Sequence, residues 1–443
     1  MSEDKIDIRL FGRMDFMRAT GLFILIGGVL ELFAGNRPEQ IVALAAGFIA
    51  SFILFHFNAR RWKRQLSSLR KIIAAPLLVL FCVLTIAVMP ASTFLFAKLG
   101  SSGAQTDMGL WYLNGFHGLQ KNSAEAVKWL SKGADRGNAT AETVLGELYL
   151  NGSDDLPQDY KRAAVMLQNA AEQGSAEAQY NFGLMNLKGQ GMKVDYPAAA
   201  KWISSAAEQG RAEAQFGLGA LYTAGKGVPQ DNAKAREWFE KSAAQNNANG
   251  QYSLGSLYYS GDGVTKDYAV ALQWLQKSAD QGNLGAVSLL ADAYEHGHGV
   301  GQDQAEALKL YQQAADKGFS PGYVGLGHLY SAGEGVTQDY AQALQWYLKA
   351  AQQGNAEGQF EAGLLYANGL GMKKNMAEAY FWFSLAANSS YKQVADWCDR
   401  AAADLKWQQI SDLNQRISAW KPTQASAPAA PAKPADTGYH IFY

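Results

Sequence analysis

The chain has 443 residues, a formal net charge of −1 and 48% hydrophobic residues. A protein that binds nucleic acid needs a basic surface to neutralise phosphates, so this charge balance argues against that class. The two cysteines, Cys82 and Cys398, lie far apart in the sequence. They predict neither a disulfide framework nor a cysteine-based metal site.

The first 18 residues mix basic and apolar side chains. Lys5, Arg9, Arg13 and Arg18 stand among apolar residues such as Phe11. The mixture fits a short helix at a membrane interface, and a solvated N-terminus is the alternative. We predict that residues 1–18 form a cytoplasmic or interfacial segment.

Three apolar runs follow within residues 19–98. The first lies between Arg18 and Arg37, the second spans residues 41–57, and the third spans residues 72–97 without a charge. A hydrocarbon core of about 30 Å needs roughly 20 helical residues. The third run is long enough, whereas the first two are short and a shallow hairpin is their alternative. We predict three transmembrane helices.

Basic residues concentrate on one side of this predicted membrane region. The loop between the second and third runs holds Arg60, Arg61, Lys63, Arg64, Arg70 and Lys71, whereas Lys98 stands alone after the third run. The positive-inside rule therefore places the N-terminus and this loop in the cytoplasm. We expect a multi-pass protein of the bacterial inner membrane, with the remaining chain in the periplasm.

From about residue 105 to residue 390, one pattern returns at a period of 36 residues, with a spacing of 37 in the first two copies. Each copy has two helical segments, here called helix A and helix B, joined by a loop with two glycines. A fixed period of this length predicts a solenoid of repeated helix pairs. The loop glycines stand at Gly189/Gly191, Gly225/Gly227, Gly261/Gly263, Gly297/Gly299, Gly333/Gly335 and Gly369/Gly371.

Each helix has its own signature. Helix A has apolar residues at steps of three and four, which places them on one face. Its interior glycine costs about 1 kcal/mol relative to alanine, so a glycine repeated at this position predicts a close helix–helix approach. Helix B carries Ala-x-x-Trp, as at Ala235 and Trp238, and begins after an aspartate such as Asp231, which we expect to cap the helix.

This pattern resembles the Sel1-like repeat, a relative of the tetratricopeptide repeat that is about two residues longer. The resemblance covers about eight repeats, residues 105–390. It implies an all-α fold, an α/α superhelical solenoid of Sel1-like helix pairs, here preceded by the three predicted transmembrane helices. It also implies a scaffold that binds proteins, without catalytic activity or cofactor.

Two segments follow the repeats. Residues 391–421 are similar to the helices that close Sel1-like arrays, and we expect them to cover the last repeat. Residues 422–443 are rich in proline and alanine, which predicts a disordered tail. The tail ends in an aromatic string that could dock onto a partner as an added strand, with an unstructured end as the alternative. The docking candidates are Tyr439, Ile441, Phe442 and Tyr443.

One side of helix A supplies the candidate binding residues. By analogy with such arrays, its second, fifth and ninth positions share the exposed side. The ninth position varies between repeats and includes Asp292 and His328. The fifth position holds a row of aromatic residues: Tyr180, Phe216, Tyr252 and Phe360. We predict that the ninth-position residues and this aromatic row bind protein partners of the cell envelope. Packing between repeats is the alternative for the row.

Two other functions remain as alternatives. Aromatic side chains also stack on sugars, so the row could form a periplasmic site for exopolysaccharide or peptidoglycan. His296 and His298, with Glu295, carry metal-ligating groups that a metal enzyme could use. The two histidines flank a loop glycine and no third strong ligand stands at a fixed offset. We therefore predict no metal site, no catalytic residue and no cofactor.

Overall fold

The computed structural model describes residues 93–153, 155–388 and 394–423. The chain divides into two compact units, residues 1–206 and 207–443. Each unit is described by itself. The predicted N-terminal segment, the first two apolar runs and the four docking candidates of the tail lie outside the described residues. The described part of the third run is its last turn, at residues 93–97, within the helical stretch 93–98.

In its described residues, from residue 93 onward, the N-terminal unit contains three helix pairs. A short 3₁₀ helix, Phe116–Gly118, follows the first helix and marks the enlarged loop of the first repeat. The helices are α1 (Ser102–Asn114), α2 (Ser123–Ala134), α3 (Ala139–Asn151), α4 (Tyr160–Glu172), α5 (Ala176–Lys188) and α6 (Tyr196–Glu208), and the boundary to the next unit falls in the last turn of α6.

The described part of the C-terminal unit, residues 207–388 and 394–423, contains five further pairs and two terminal helices. The pairs are α7 (Ala212–Ala224), α8 (Asn232–Ala244), α9 (Ala248–Ser260), α10 (Tyr268–Asp280), α11 (Leu284–His296), α12 (Gln304–Asp316), α13 (Ser320–Ala332), α14 (Tyr340–Gln352), α15 (Ala356–Asn368) and α16 (Met376–Asn388). The terminal helices are α17 (Ala395–Ala403) and α18 (Trp407–Ala419).

The predicted all-α fold of helix pairs is confirmed. Odd-numbered helices up to α15 are helix A, and even-numbered helices up to α16 are helix B. From α3 to α16 every helix has 13 residues. The part of the chain that the structure describes contains no β-strand beyond an isolated bridge between Ser153 and Leu156.

The helix ends follow from the sequence signals. Asp339 precedes α14, and its Oδ1 accepts hydrogen bonds from the backbone N–H groups of Ala341 and Gln342 at 2.9 and 3.0 Å. These bonds give partners to two backbone N–H groups of the first turn, which have none within the helix. Helix A ends at a glycine in the left-handed region, as at Gly333 with φ 76°. Helix B ends the same way, and Asn246 takes the left-handed position once, with φ 63°.

The interior glycine of helix A lets helix B approach closely. A Cβ built at Gly219 would lie 2.6 Å from Cε1 of Phe239 on α8. At Gly363, a Cβ would lie 2.6 Å from Cε1 of Phe383 on α16. Real Cβ atoms do not approach so closely, so this position excludes larger residues. Where the glycine is replaced, Ala291 stands there and is fully buried.

Buried glutamines join consecutive repeats. Gln251 on α9 is 2% exposed, and its Nε2 donates to the carbonyl oxygen of Ala243 at the end of α8. Its Oε1 accepts from Nε2 of Gln281, at 2.7 Å. Gln215 and Gln245 form the same kind of pair one repeat earlier, at 2.8 Å. These bonds give the buried glutamine side chains partners at the end of the preceding helix B and in the following repeat.

The two terminal helices pack on the end of the C-terminal unit. Leu413 on α18 is 9% exposed and belongs to a core cluster with Trp382 and Leu385 of α16. Arg416 forms a two-point ion pair with Glu378. The chain then runs back over α14, where the N–H of Thr423 donates to the carbonyl oxygen of Gln352 at 2.8 Å.

Within the described ranges, no helix combines the length and apolar character that a membrane crossing requires.

Candidate functional site

The aromatic side chains at the fifth position of helix A are largely packed against other side chains of the repeats. Tyr180, in the N-terminal unit, is 4% exposed. In the C-terminal unit the ring of Phe216 lies 6.0 Å from that of Phe239, and the ring of Phe360 lies 5.7 Å from that of Phe383. These contacts favour the packing alternative for the row. Binding of a partner through these rings stays a prediction.

Tyr252 is also half-buried, between consecutive repeats. A Cβ built at Gly285 of α11 would lie 2.9 Å from its Cζ, so the tyrosine ring fills the space that this glycine leaves. The fifth position therefore fills gaps between repeats, and the accessible part of helix A lies elsewhere.

The ninth position of helix A is half-exposed in the C-terminal unit. Its residues differ in charge and polarity from one repeat to the next. His328 faces Glu357 of the following helix A, with 3.8 Å between Nε2 and Oε1. The ninth position thus presents a varied, half-exposed surface, in which Ala220 and Leu364 also pack against core clusters. In chain order it holds Ala220, Ser256, Asp292, His328 and Leu364.

Asp292 lies in a group of metal-ligating side chains that we call the Asp292 cluster: Asp292, Glu295, His296 and His298. Nδ1 of His296 lies 3.4 Å from Oδ1 of Asp292, and Nδ1 of His298 lies 3.9 Å from Oδ2. One ligand atom each of Asp292, Glu295 and His296 falls within 4.8 Å of the others. The α11 helix and the loop after it therefore bring two carboxylates and two imidazoles together.

Three tyrosines from neighbouring helices surround this cluster. Tyr259 of α9 donates a hydrogen bond to Oδ2 of Asp292, and its hydroxyl lies 2.8 Å from Nδ1 of His298. Tyr311 of α12 donates to Oε2 of Glu295 at 2.8 Å. The ring of Tyr268, on α10, stacks on His298 with 4.6 Å between centroids and 2° between planes. These contacts fix the orientations of both carboxylates and of one imidazole.

Burial and charge alter the acidity of these groups. Burial raises the pKa of Glu295, and the hydrogen bond from Tyr311 opposes that shift. Burial also raises the pKa of Tyr259, and the carboxylate of Asp292 adds to the rise. The pKa of His296 is raised, because its contact with the Asp292 carbonyl and the charges of Glu295 and Asp292 outweigh the opposing effect of burial.

The cluster corrects one step of the sequence argument. His296, His298 and Glu295 were singled out from the sequence, and no third strong ligand was expected beside them. The structure places Asp292 there as a further ligand. It stands three residues before Glu295 and four before His296, the spacing that places side chains on one helical face. The tyrosines give no such signal, because Tyr259 reaches the cluster from the preceding repeat and Tyr311 reaches it from helix B of the same repeat. Of the predicted partner residues, the structure brings Asp292 into this group, and places His328 on the next helix A.

A second acidic group lies beside His328. Burial raises the pKa of Glu361 on α15, Glu357 adds to that rise, and the nearby His328 opposes it. Glu334, in the loop after α13, contributes to the field at His296. The side of helix A from α11 to α15 therefore carries several carboxylates interspersed with histidines. The predicted docking residues of the tail, Tyr439 to Tyr443, lie outside the described residues.

Known proteins share the pattern of this chain. The Sel1 repeat model matches eight segments, at residues 102–138, 139–175, 176–210, 212–247, 248–283, 286–319, 320–355 and 356–391. No curated protein matches the chain.

Two solved structures are similar over long stretches. One is a protective antigen present in uropathogenic Escherichia coli strains, which displays an SLR fold; the identity is 34%, the match covers 74% of this chain and 71% of that one, and the TM-score is 0.54. The other is a Sel1 repeat protein from Oxalobacter formigenes. The identity is 32%, the match covers 55% of this chain and 96% of that one, and the TM-score is 0.51.

Sel1 repeat proteins generally mediate protein–protein interactions and are typically non-catalytic scaffolds. The matched segments, the helix pairs and these relatives agree: the chain belongs to the Sel1 repeat family.

Proposed function

We propose that this chain is a membrane-anchored scaffold that binds protein partners at the cell envelope, with its repeats on the periplasmic side of the inner membrane. Partners in envelope assembly, secretion, polymer export or localisation suit such a scaffold. Family membership supports protein binding. The three apolar runs and the basic loop at residues 60–71 support the anchor and its orientation.

The ninth position of helix A carries this proposal. Its neighbours in the helix are the packing glycine at the eighth position and a buried apolar residue at the tenth, as at Gly255 and Leu257 of α9. These neighbours recur because every repeat must pack alike. The ninth position is half-exposed and changes from serine to aspartate to histidine, so it is free to match a partner.

The charges on this side of the C-terminal unit indicate the chemistry of the partner. Asp292, Glu357 and Glu361 face it with two histidines near them. A partner segment with lysine or arginine side chains complements such a surface, because opposite potentials favour and orient encounter. The glycan alternative has less support, since the fifth-position rings it needs are half-buried or buried.

Photocrosslinking in cells tests the proposal. A photoreactive residue replaces Ser256, at the ninth position of α9, and in a matched variant it replaces Gln345, which is exposed on helix B α14. We expect a protein adduct of defined mass from position 256 and none from position 345.

Equal adducts from both positions, or none from position 256 in cells that express the folded chain, would contradict binding through helix A. An adduct that is digested by glycosidase but not by protease would favour the glycan alternative.

A further inference from the structure

We infer that the Asp292 cluster binds a divalent transition-metal ion, and that Zn²⁺ fits its chemistry best. The ligands are carboxylate oxygens of Asp292 and Glu295 and imidazole nitrogens of His296 and His298. The site shares Asp292 with the proposed binding surface, but metal binding itself requires neither a partner nor a membrane and can be tested separately.

The distances suit coordination. Zn²⁺ forms bonds of about 2.0–2.2 Å to oxygen and nitrogen in tetrahedral geometry, so its ligand atoms lie about 3.3–3.6 Å apart. One ligand atom each of Asp292, Glu295 and His296 already lies within 4.8 Å of the others. Nδ1 of His298 lies 2.8 Å from the Tyr259 hydroxyl, which donates its own proton to Asp292, so Nδ1 donates to that hydroxyl and Nε2 is the ligand atom of this imidazole. Small side-chain rotations bring Asp292, Glu295 and His296 to coordination distance, and a rotation of His298 that presents Nε2 adds the fourth ligand.

The backbone holds the four ligands in place before any ion binds. Asp292, Glu295 and His296 lie on one face of the last turns of α11. The chain then turns through Gly297, with φ 72°. The N–H of His298 donates to the carbonyl oxygen of Ala293 at 2.9 Å, which returns this histidine to the helix end. The site thus combines a helix face with the loop that follows it.

Hydrogen bonds from outside the set orient the carboxylates. The hydroxyl groups of Tyr259 and Tyr311 donate to Asp292 and Glu295 respectively. Tyr268 holds the imidazole plane of His298 by stacking. Partners of this kind orient metal ligands in proteins, and their loss typically weakens metal binding about 10- to 100-fold.

Charge also favours a cation here. Glu295 is 7% exposed, and a carboxylate held away from water needs a compensating charge. A divalent ion supplies it for Asp292 and Glu295 together. Two imidazoles beside two carboxylates suit Zn²⁺ better than Ca²⁺ or Mg²⁺, which prefer sets of oxygen ligands. His296 has a side chain that is 52% exposed, so the ion can enter from that side.

The packing of the repeats does not require this combination. The corresponding ninth, twelfth and thirteenth positions hold Ser256, Tyr259 and Ser260 in α9, and they hold His328, Ser331 and Ala332 in α13. Those repeats form the same helix pairs with the same glycine caps. The ligand set is therefore particular to α11 and its loop.

Zinc titration of the full-length chain tests the inference. The protein is purified without a metal-affinity tag, treated with a chelator and dialysed. Bound metal is measured by elemental analysis, affinity by calorimetry with ZnCl₂, and Tm with and without ZnCl₂ or MgCl₂. We expect one Zn²⁺ per chain, and a rise in Tm of about 5 °C at saturating Zn²⁺, with no comparable rise in MgCl₂.

The test variant changes His296→Gln and His298→Gln together, and the control variant changes His328→Gln on the next helix A. We expect the double variant, with an unchanged circular dichroism spectrum, to bind Zn²⁺ at least tenfold more weakly, and the control to bind like the parent. The site is disproved if the parent binds no Zn²⁺ at 100-fold molar excess, if the double variant binds as tightly as the parent, or if the control loses binding equally. Equal stabilisation by Mg²⁺ would overturn the assignment to a transition metal.

Discussion

Glu361 illustrates how single residues on this surface respond to pH. Burial raises the pKa of its carboxyl above the usual 4.5, with Glu357 adding to the rise and His328 opposing it. In the folded chain the protonated form is therefore favoured relative to the unfolded chain. The stabilisation that this provides is fully present below pH 4.5 and is lost as pH rises through the raised pKa.

The substitution Glu361→Gln removes this titration. We expect the variant to have a higher Tm than the parent at pH 7, because no buried carboxylate has to ionise. The difference should shrink as pH falls towards 4.5, where the parent carboxyl is protonated. Thermal unfolding followed by circular dichroism between pH 4.5 and pH 8 measures it. Glu237→Gln, at an exposed position of α8, serves as the control. A difference that does not vary with pH would refute this account of Glu361.

The residue scale is also where sequence reasoning was incomplete. The spacing of Asp292, Glu295 and His296 was present in the sequence, but Asp292 was considered as a binding residue alone. Tyr259 could not be assigned to it, because the two residues are 33 positions apart and their contact depends on how one repeat docks on the next. The burial of Tyr180 has the same origin, since periodicity places it on a face but does not say how deeply.

At the scale of helices, the interior glycine sets the distance between helix A and helix B. Alanine has the higher helix propensity, by about 1 kcal/mol, and an isolated helix would gain from the change. In this fold the added methyl group would overlap a buried aromatic ring, and overpacking of this kind typically costs about 1–3 kcal/mol.

We therefore expect Gly219→Ala to lower the stability of the C-terminal unit, although it favours helix formation. The Cβ would lie 2.6 Å from Cε1 of Phe239, which is 4% exposed and has little room to move. Chemical denaturation measures the effect. Gly301→Ala is the control, because nothing lies within 4 Å of a Cβ at Gly301. A stabilised Gly219→Ala variant would show that the helices can separate without loss.

The helix scale was largely predictable. Eight repeats, their two helices, the glycine contact and the aspartate caps followed from periodicity and capping rules, because every repeat solves the same packing problem. The buried glutamines recur at one position too, as Gln215, Gln251 and Gln359. They were overlooked because a polar residue in an apolar pattern gives no direction for its hydrogen bonds.

At the scale of the whole molecule, the placement of the repeats relative to a membrane decides which partners they can meet. The prediction depends on three apolar runs and on the basic residues between the second and third. An odd number of spans with a cytoplasmic N-terminus puts the repeats on the far side.

Paired reporters test this topology, one active only outside the cytoplasm and one active only inside. Fusions after Ser101 and after Trp420 should report the outside, and fusions in the loop at residues 60–71 should report the inside. Repeats that report the inside would mean that one of the short apolar runs does not span, and the partners would be cytoplasmic. The zinc site would be unaffected by either result.

The equal length of the helices has a consequence for how such a chain can change over time. From the third repeat on, helix pairs recur at a period of 36 residues, and a glycine or, once, Asn246 takes the left-handed position after each helix up to α15. Recombination between two in-phase gene segments would insert or delete one whole pair, and every remaining interface would keep its type of contacts. The number of repeats can therefore change by one whole helix pair at a time. The Asp292 cluster, which lies in a single repeat, is kept or lost together with that repeat.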